Sequence, residues 1–296
     1  MKKKINKSPL YLLDKFSVHD IKQWENIKNQ VLEYYWNVYS VLAHQRAQVF
    51  DDLKKLFILN SQPYEFEDWQ RVVTYAFTLN PLSAIGSIAS PPGGRFNIGD
   101  IDESKFSKFP ALYLAEDRKT AYMEKFGLSE DQKLRGVTAP ELTLSETEPI
   151  SIVSISGKLD AIFDVENKKA LMEFVSITKG FKIPKKISEM AKHYKIEAQS
   201  VITNVDALYN SLLDPNWRRF PQQADTPSNS QIFGQIIESA GLQGILYKSK
   251  KTGKKCLAIF PKNFEGSQCA IELQGVIPPE VTNRRMDSAS WMRFIQ

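Results

Sequence analysis

The chain has 296 residues, is 42% hydrophobic and 25% charged, and carries a formal net charge of +5. These values fit an ordinary globular protein of one large or two smaller domains, and no uncharged apolar run approaches the roughly 18 residues of a membrane-spanning helix. Two cysteines, Cys256 and Cys269, and three scattered histidines, His19, His44 and His193, exclude a disulfide scaffold and offer no zinc-ligand spacing.

The basic start, MKKKINKSPLYLL, runs into Asp14 and Lys15 and does not read as a secretory signal. With two free thiols, a reducing cytoplasm is the expected compartment. Residues 18–59 predict helix, with Ser17 as N-cap. Apolar residues recur at three- and four-residue steps from Ile21 to Leu42, and Val49, Leu53 and Leu56 extend the stripe. The stripe is broad and aromatic, so it covers either the main domain or a second subunit, and the sequence leaves both open. The expected division is a helical region over 1–62 and a main domain over 63–296.

Val72 to Phe77 reads as a strand, and 80–100 as a loop rich in Ser, Pro and Gly. Ala111 to Ala115 reads as a short strand. Asp117 can cap a helix running to about Phe126, with Gly127 as its stop. Residues 128–148 read as loop and Ile150 to Ile155 as a strand. Helical pieces broken by Gly180 and Pro184 span Leu171 to Lys195, and 214–230 reads as loop. A helix over Gln231 to Ala240 closes at Gly241, and strands at Gly244–Tyr247 and Cys256–Phe260 flank a Thr252-Gly253 turn. Helices and short strands mix without a regular βαβ rhythm, so the fold class is α+β.

Two segments could meet an anion. Lys248, Lys250, Lys251, Lys254 and Lys255 equal the whole net charge, but they also suit a solvated hairpin turn. No aromatic-rich basic stripe accompanies them, so direct nucleic-acid binding rests on charge alone. The second segment is SPPGGRFNIGD, residues 90–100. The Gly93-Gly94 pair could turn successive N–H groups into an anion nest beside Arg95, whose planar fork suits phosphate. It could equally be a structural turn. Downstream, Tyr113 interrupts an apolar strand and Glu124 lies on the following helix, either exposed or aimed into a cleft.

GGRFN (93–97), ALYLAEDRKTAYMEKF (111–126) and GLQGILYKSKKTGKKCLAIFPKNF (241–264) together resemble the RES domain, named for an arginine, a glutamate and a serine. Trp69-Gln-Arg71-Val72 and Asn229-Ser-Gln231 fit the same pattern, so the resemblance spans about residues 64–265. It departs in having Phe96 where tryptophan is common, an insertion over Asp100–Pro110, and extra length over 128–230.

The resemblance implies an ADP-ribosyltransferase-like core, a mixed or antiparallel sheet with flanking helices, to which residues 1–62 add a helical extension. It implies a bacterial toxin that degrades NAD by hydrolysis or phosphorolysis, with ADP-ribosyl transfer to a protein or nucleic acid as the alternative. NAD is then substrate, and no cofactor or metal is implied. An Xre-type antitoxin is the expected partner, with a second copy of this chain, through the N-terminal helices, as another. Glu124, Arg95 and Tyr113 match the family's catalytic residues. Arg71, Gly94, Arg95, Tyr113 and Ser249 match its NAD-binding set, Ser249 toward the nicotinamide. On this reading Arg95→Ala weakens NAD handling while the protein stays folded.

Overall fold

The computed structural model describes residues 18–89, 91–126 and 150–296. The N-terminal stripe forms α1 (Val18–Gln48) and α2 (Phe50–Leu59), which break at Val49. Then come β1 (Gln62–Thr74), a short α3 (Gly86–Ala89), β2 (Leu112–Ala115), α4 (Arg118–Phe126) and β3 (Ile150–Asp164). Five helices follow, α5 (Lys168–Thr178), α6 (Lys185–Tyr194), α7 (Val205–Leu212), α8 (Arg219–Ala224) and α9 (Asn229–Ser239). The chain ends with the hairpin β4 (Gly244–Lys248) and β5 (Lys255–Ile259), then β6 (Ala270–Gln274) and β7 (Arg285–Asp287).

The class is α+β, as expected, with a seven-stranded mixed sheet in the order β1-β2-β5-β4-β3-β6-β7. An additional β1–β3 pairing closes β1, β2, β5, β4 and β3 into a ring. β3 makes this possible: one edge pairs along β1, while the other takes β6 at Ser154–Lys158 and then β4, in parallel, at Ile162–Asp164.

Strand alternation divides the core. Leu112, Leu114, Leu246, Leu257 and Ile259 face one cluster, shared with Phe264, Ile271 and Met286. Their neighbours Tyr113, Ala115, Ile245, Tyr247, Cys256 and Ala258 face the other, under the helices. Leu53, Leu56 and Phe57 of α2 sit in that second cluster with Phe163, Phe174 and Phe233, so α2 is continuous with the main core. Burying a side chain such as Phe57 contributes about 1.5–3 kcal/mol. The C-terminal half of α1 packs Tyr34 and Val38 on Ile187 and Ala191 of α6, while Trp24 and Ile27 are about half exposed.

Several elements differ from expectation. β1 begins at Gln62, because a register shift between Phe66 and Trp69, with Asp68 at φ 52°, breaks the alternation on which a strand is recognised. Tyr75–Phe77 are a 3-10 turn rather than strand. β3 runs on through the polar Ser156-Gly157-Lys158, because those residues pair with a strand on one or both edges. The expected loop over 214–230 contains α8, and α7, β6 and β7 were not expected. Ser17, Gly127 and 128–148 lie outside the described residues. Among the described residues no helix is long and apolar enough to cross a membrane.

Candidate active site

The loop from Pro91 to Gly99 is held by its own side chains. Asn97, fully buried, donates from Nδ2 to the carbonyls of Ser87 (3.0 Å) and Phe109 (3.1 Å). Its Oδ1 accepts from the Gly94 amide (2.9 Å) and the Tyr113 hydroxyl (2.8 Å), and that hydroxyl accepts from the Phe96 amide (2.9 Å). From α9, the buried Gln231 Nε2 faces the carbonyls of Pro92 (2.9 Å), Gly94 (3.2 Å) and Asn97 (3.0 Å). Ser228 and Gln231 also form the capping box that starts this helix. One turn on, Gly234 lets α9 approach the loop, since a Cβ there would stand 2.1 Å from the Phe96 carbonyl.

This geometry revises the nest expectation. The Gly94 and Phe96 amides are donated within the loop and its strand neighbour, not to an anion. Gly94 is glycine because a Cβ would come within 2.3 Å of the Tyr113 hydroxyl. The loop is a rigid mount for Arg95, and Tyr113 keeps only its ring for a ligand. Burial also pushes the Tyr113 hydroxyl well up, so it stays protonated.

Arg95 is 9% exposed, and its Nη1 donates to the carbonyls of Leu212 (3.3 Å) and Asp214 (2.8 Å). Its guanidinium lies 6.0 Å from the Trp217 ring, over which Arg218 also packs at 4.5 Å. Neither arginine makes an ion pair among the described residues. Burial, and then the like charge of Arg95, lower the Arg218 pKa. Arg71, on β1, donates from Nη2 to the Ser83 carbonyl (2.7 Å), and its Nε is buried without a partner. Burial pushes Arg71 down to about 10. Lys251 donates from Nζ to the Met123 carbonyl (2.7 Å), and burial lowers its pKa.

The carboxylate comes from α4, whose start is capped by Asp117 Oδ1 accepting the Thr120 amide at 2.7 Å. Glu124 Oε1 accepts a 2.6 Å hydrogen bond from Ser249 Oγ, a short charge-assisted contact. Ser249 in turn accepts from the amides of Lys251 (3.1 Å) and Thr252 (3.4 Å), which fixes its hydroxyl as donor to Glu124. Ser249 is 3% exposed and its hydroxyl is committed to Glu124, whereas the resemblance assigned it to the nicotinamide.

Arg71, Gly94, Arg95, Tyr113 and Glu124 all line one cleft of about 590 Å³. Among the described residues its walls carry five cationic side chains, Arg71, Arg95, Lys125, Arg218 and Lys251, against the single carboxylate of Glu124. Such a cleft draws an anionic ligand and sets one negative group against it. Burial pushes the cleft-lining Cys256 thiol well up, which disfavours the thiolate form. Among the described residues no three His, Cys, Asp or Glu side chains cluster to hold a metal ion. Sequence reasoning missed Trp217, Arg218 and Lys251. The Trp-Arg-Arg run of an expected loop was the only available signal for the first two.

A family model of the RES domain matches residues 68–279. No curated protein matches the chain. Among solved structures, a chain of the M. tuberculosis MbcT–MbcA toxin–antitoxin complex is similar at 16% identity and a TM-score of 0.39. The match covers 82% of this chain and 96% of that one.

Proposed function

The chain belongs to the RES domain family, and on that footing we propose that it is a bacterial toxin that cleaves the nicotinamide–ribose bond of NAD. The observation that carries this is Glu124, held by Ser249 Oγ at 2.6 Å as the one carboxylate that the described residues bring to an otherwise cationic cleft. NAD presents the complementary pattern. Its diphosphate is anionic, and its ribose carbon gains positive charge as the bond to nicotinamide breaks.

Nicotinamide is cationic while attached and leaves neutral with the bonding electron pair, so no general acid is needed. Glu124 stabilises the oxocarbenium-like carbon and accepts a proton from attacking water, giving ADP-ribose. Attack by phosphate gives the phosphorylated sugar instead. Ser249 is a positioning residue: it holds one carboxylate oxygen and leaves the other for the reaction. Arg95, Arg71, Arg218 and Lys251 take the diphosphate oxygens, and the Tyr113 ring packs on the nicotinamide or ribose face. In the cytoplasm such a reaction would be held in check by an antitoxin, of the Xre type in this family, that covers the cleft.

The test is to incubate the purified protein with NAD, with and without phosphate, and to identify products beside those of Glu124→Gln. Nicotinamide release by the wild type, lost in the variant, is expected. Intact NAD in every wild-type reaction overturns the proposal. Release that needs an added protein or nucleic acid, which ends up modified, assigns ADP-ribosyl transfer instead.

A further inference from the structure

A second cavity, of about 150 Å³, lies away from the cleft, where α1, α5, α8 and α9 meet the 199–202 segment. Its wall is largely aromatic, from Tyr35, Tyr39, Phe174, Phe181, Phe220 and Phe233. Tyr35 meets Phe220 edge-on at 5.7 Å, and Phe174 packs on Phe233 at 5.4 Å. Arg46 lines the same space, and among the described residues no Asp or Glu does. The Arg46 guanidinium lies over the Tyr39 ring at 5.4 Å and makes no ion pair among the described residues.

Two unfavourable features therefore coincide. The cavity opens to solvent, with Tyr35, Tyr39, Leu42 and Arg46 only partly buried, so its apolar wall faces water. The partly buried Arg46 guanidinium is hydrogen-bonded to Tyr39 but has no anion among the described residues, and burial lowers its pKa. Water is served by the polar side chains of Thr178, Gln199, Ser200, Thr226 and Asn229 on the wall, but it leaves the aromatic surface solvated and the guanidinium without an anion. One ligand answers both if it has a flat apolar body and a single anionic head. An apolar cavity of roughly this size takes a benzene-sized ring, and a guanidinium fork matches a carboxylate.

We propose that this cavity is a binding site for a small aromatic monocarboxylate, its ring among the aromatic side chains and its carboxylate on Arg46. The site is separate from the NAD reading and does not depend on it. It does share α9 with the cleft, since Ile232 and Phe233 line the cavity while Gln231 holds the Arg95 loop.

The probe is benzoate, with benzyl alcohol as the neutral counterpart, followed by calorimetry and by melting temperature at constant ionic strength and without NAD. Benzoate is expected to bind the wild type and raise its melting temperature more than benzyl alcohol does. Arg46→Gln is expected to weaken benzoate by at least about tenfold, the loss of one charge-assisted contact, and to leave benzyl alcohol unchanged. Val201→Phe, which fills the cavity from the 199–202 segment, is expected to abolish both. Failure of benzoate to bind the wild type at millimolar concentration overturns the proposal. So does benzoate binding of wild-type strength in either variant.

Discussion

Two stretches of this chain concentrate what an anion would want: the lysine turn at Lys248–Lys255 and the loop that carries Arg95. The turn has the greater charge, yet four of its five lysines are engaged outside the cleft. Lys248 pairs with Glu166 at 3.1 Å and Lys254 with Glu116 at 3.9 Å. Lys250 packs over Tyr209 and Lys255 over Tyr64. Arg95 instead shares the Trp217 ring with another arginine in a cleft to which the described residues bring one carboxylate. Charge density in a sequence is therefore a poor guide to a binding site. The telling condition is like charge brought together and partly desolvated, which the fold tolerates where a ligand completes it.

The largest expected effect is at the carboxylate. Glu124→Gln should lower kcat for NAD cleavage by roughly 10²- to 10⁴-fold, as for other positioned acid–base groups, with an unchanged melting temperature. Ser249→Ala should lower kcat by less and leave KM near wild type, because the Ser249 hydroxyl is committed to Glu124. Next comes the cation that only the structure identified. Arg218→Met should raise KM for NAD by roughly 10- to 100-fold, the equivalent of one lost charge-assisted hydrogen bond. An unchanged KM would place Arg218 with the turn lysines and dissolve the contrast.

Arg95 tests both halves of the comparison together. The sequence suggested that Arg95→Ala weakens NAD handling in an intact fold. Its two bonds to the Leu212 and Asp214 carbonyls make it part of the scaffold as well. Truncation leaves those acceptors without their donor, a cost of about 1–3 kcal/mol. Denaturant unfolding should register that loss alongside weaker NAD binding, whereas Arg218→Met should show the binding defect alone.

The parts of this fold that were legible in sequence are those where one period holds without interruption. The β4–β5 hairpin, β2 and α9 satisfied that condition, and Gly241, at φ 85°, closes α9 as expected. β1 and β3 did not, because a bulge at Asp68 and a polar stretch at Ser156–Lys158 hide strands that only their partners reveal. At the site, Arg95, Tyr113 and Glu124 were legible as an ordered set of residue types. Their division of labour was not. The sequence cannot tell that the Tyr113 hydroxyl faces Asn97, or that Ser249 supports Glu124. Trp217 and Arg218 lie more than a hundred residues from Arg95, and only the packing of α7 and α8 brings them beside it.

The smallest expected effects fall within the lysine turn, which contains its own control. Lys248 and Lys254 have side chains 50% and 55% exposed, and their ion pairs sit in solvent. Exposed pairs of this kind are each worth about 0–1 kcal/mol and are screened by salt. Lys248→Gln with Lys254→Gln should therefore shift stability by no more than about 2 kcal/mol in total and leave KM for NAD unchanged at both low and high salt. Lys251 has the same charge in the same turn, but its ammonium reaches the Met123 carbonyl beside Glu124 and lines the cleft. Lys251→Gln should raise KM, and the increase should shrink as added salt screens the remaining attraction. Equal behaviour of Lys251 and the outer pair would mean that the turn acts as a diffuse field rather than through one placed charge.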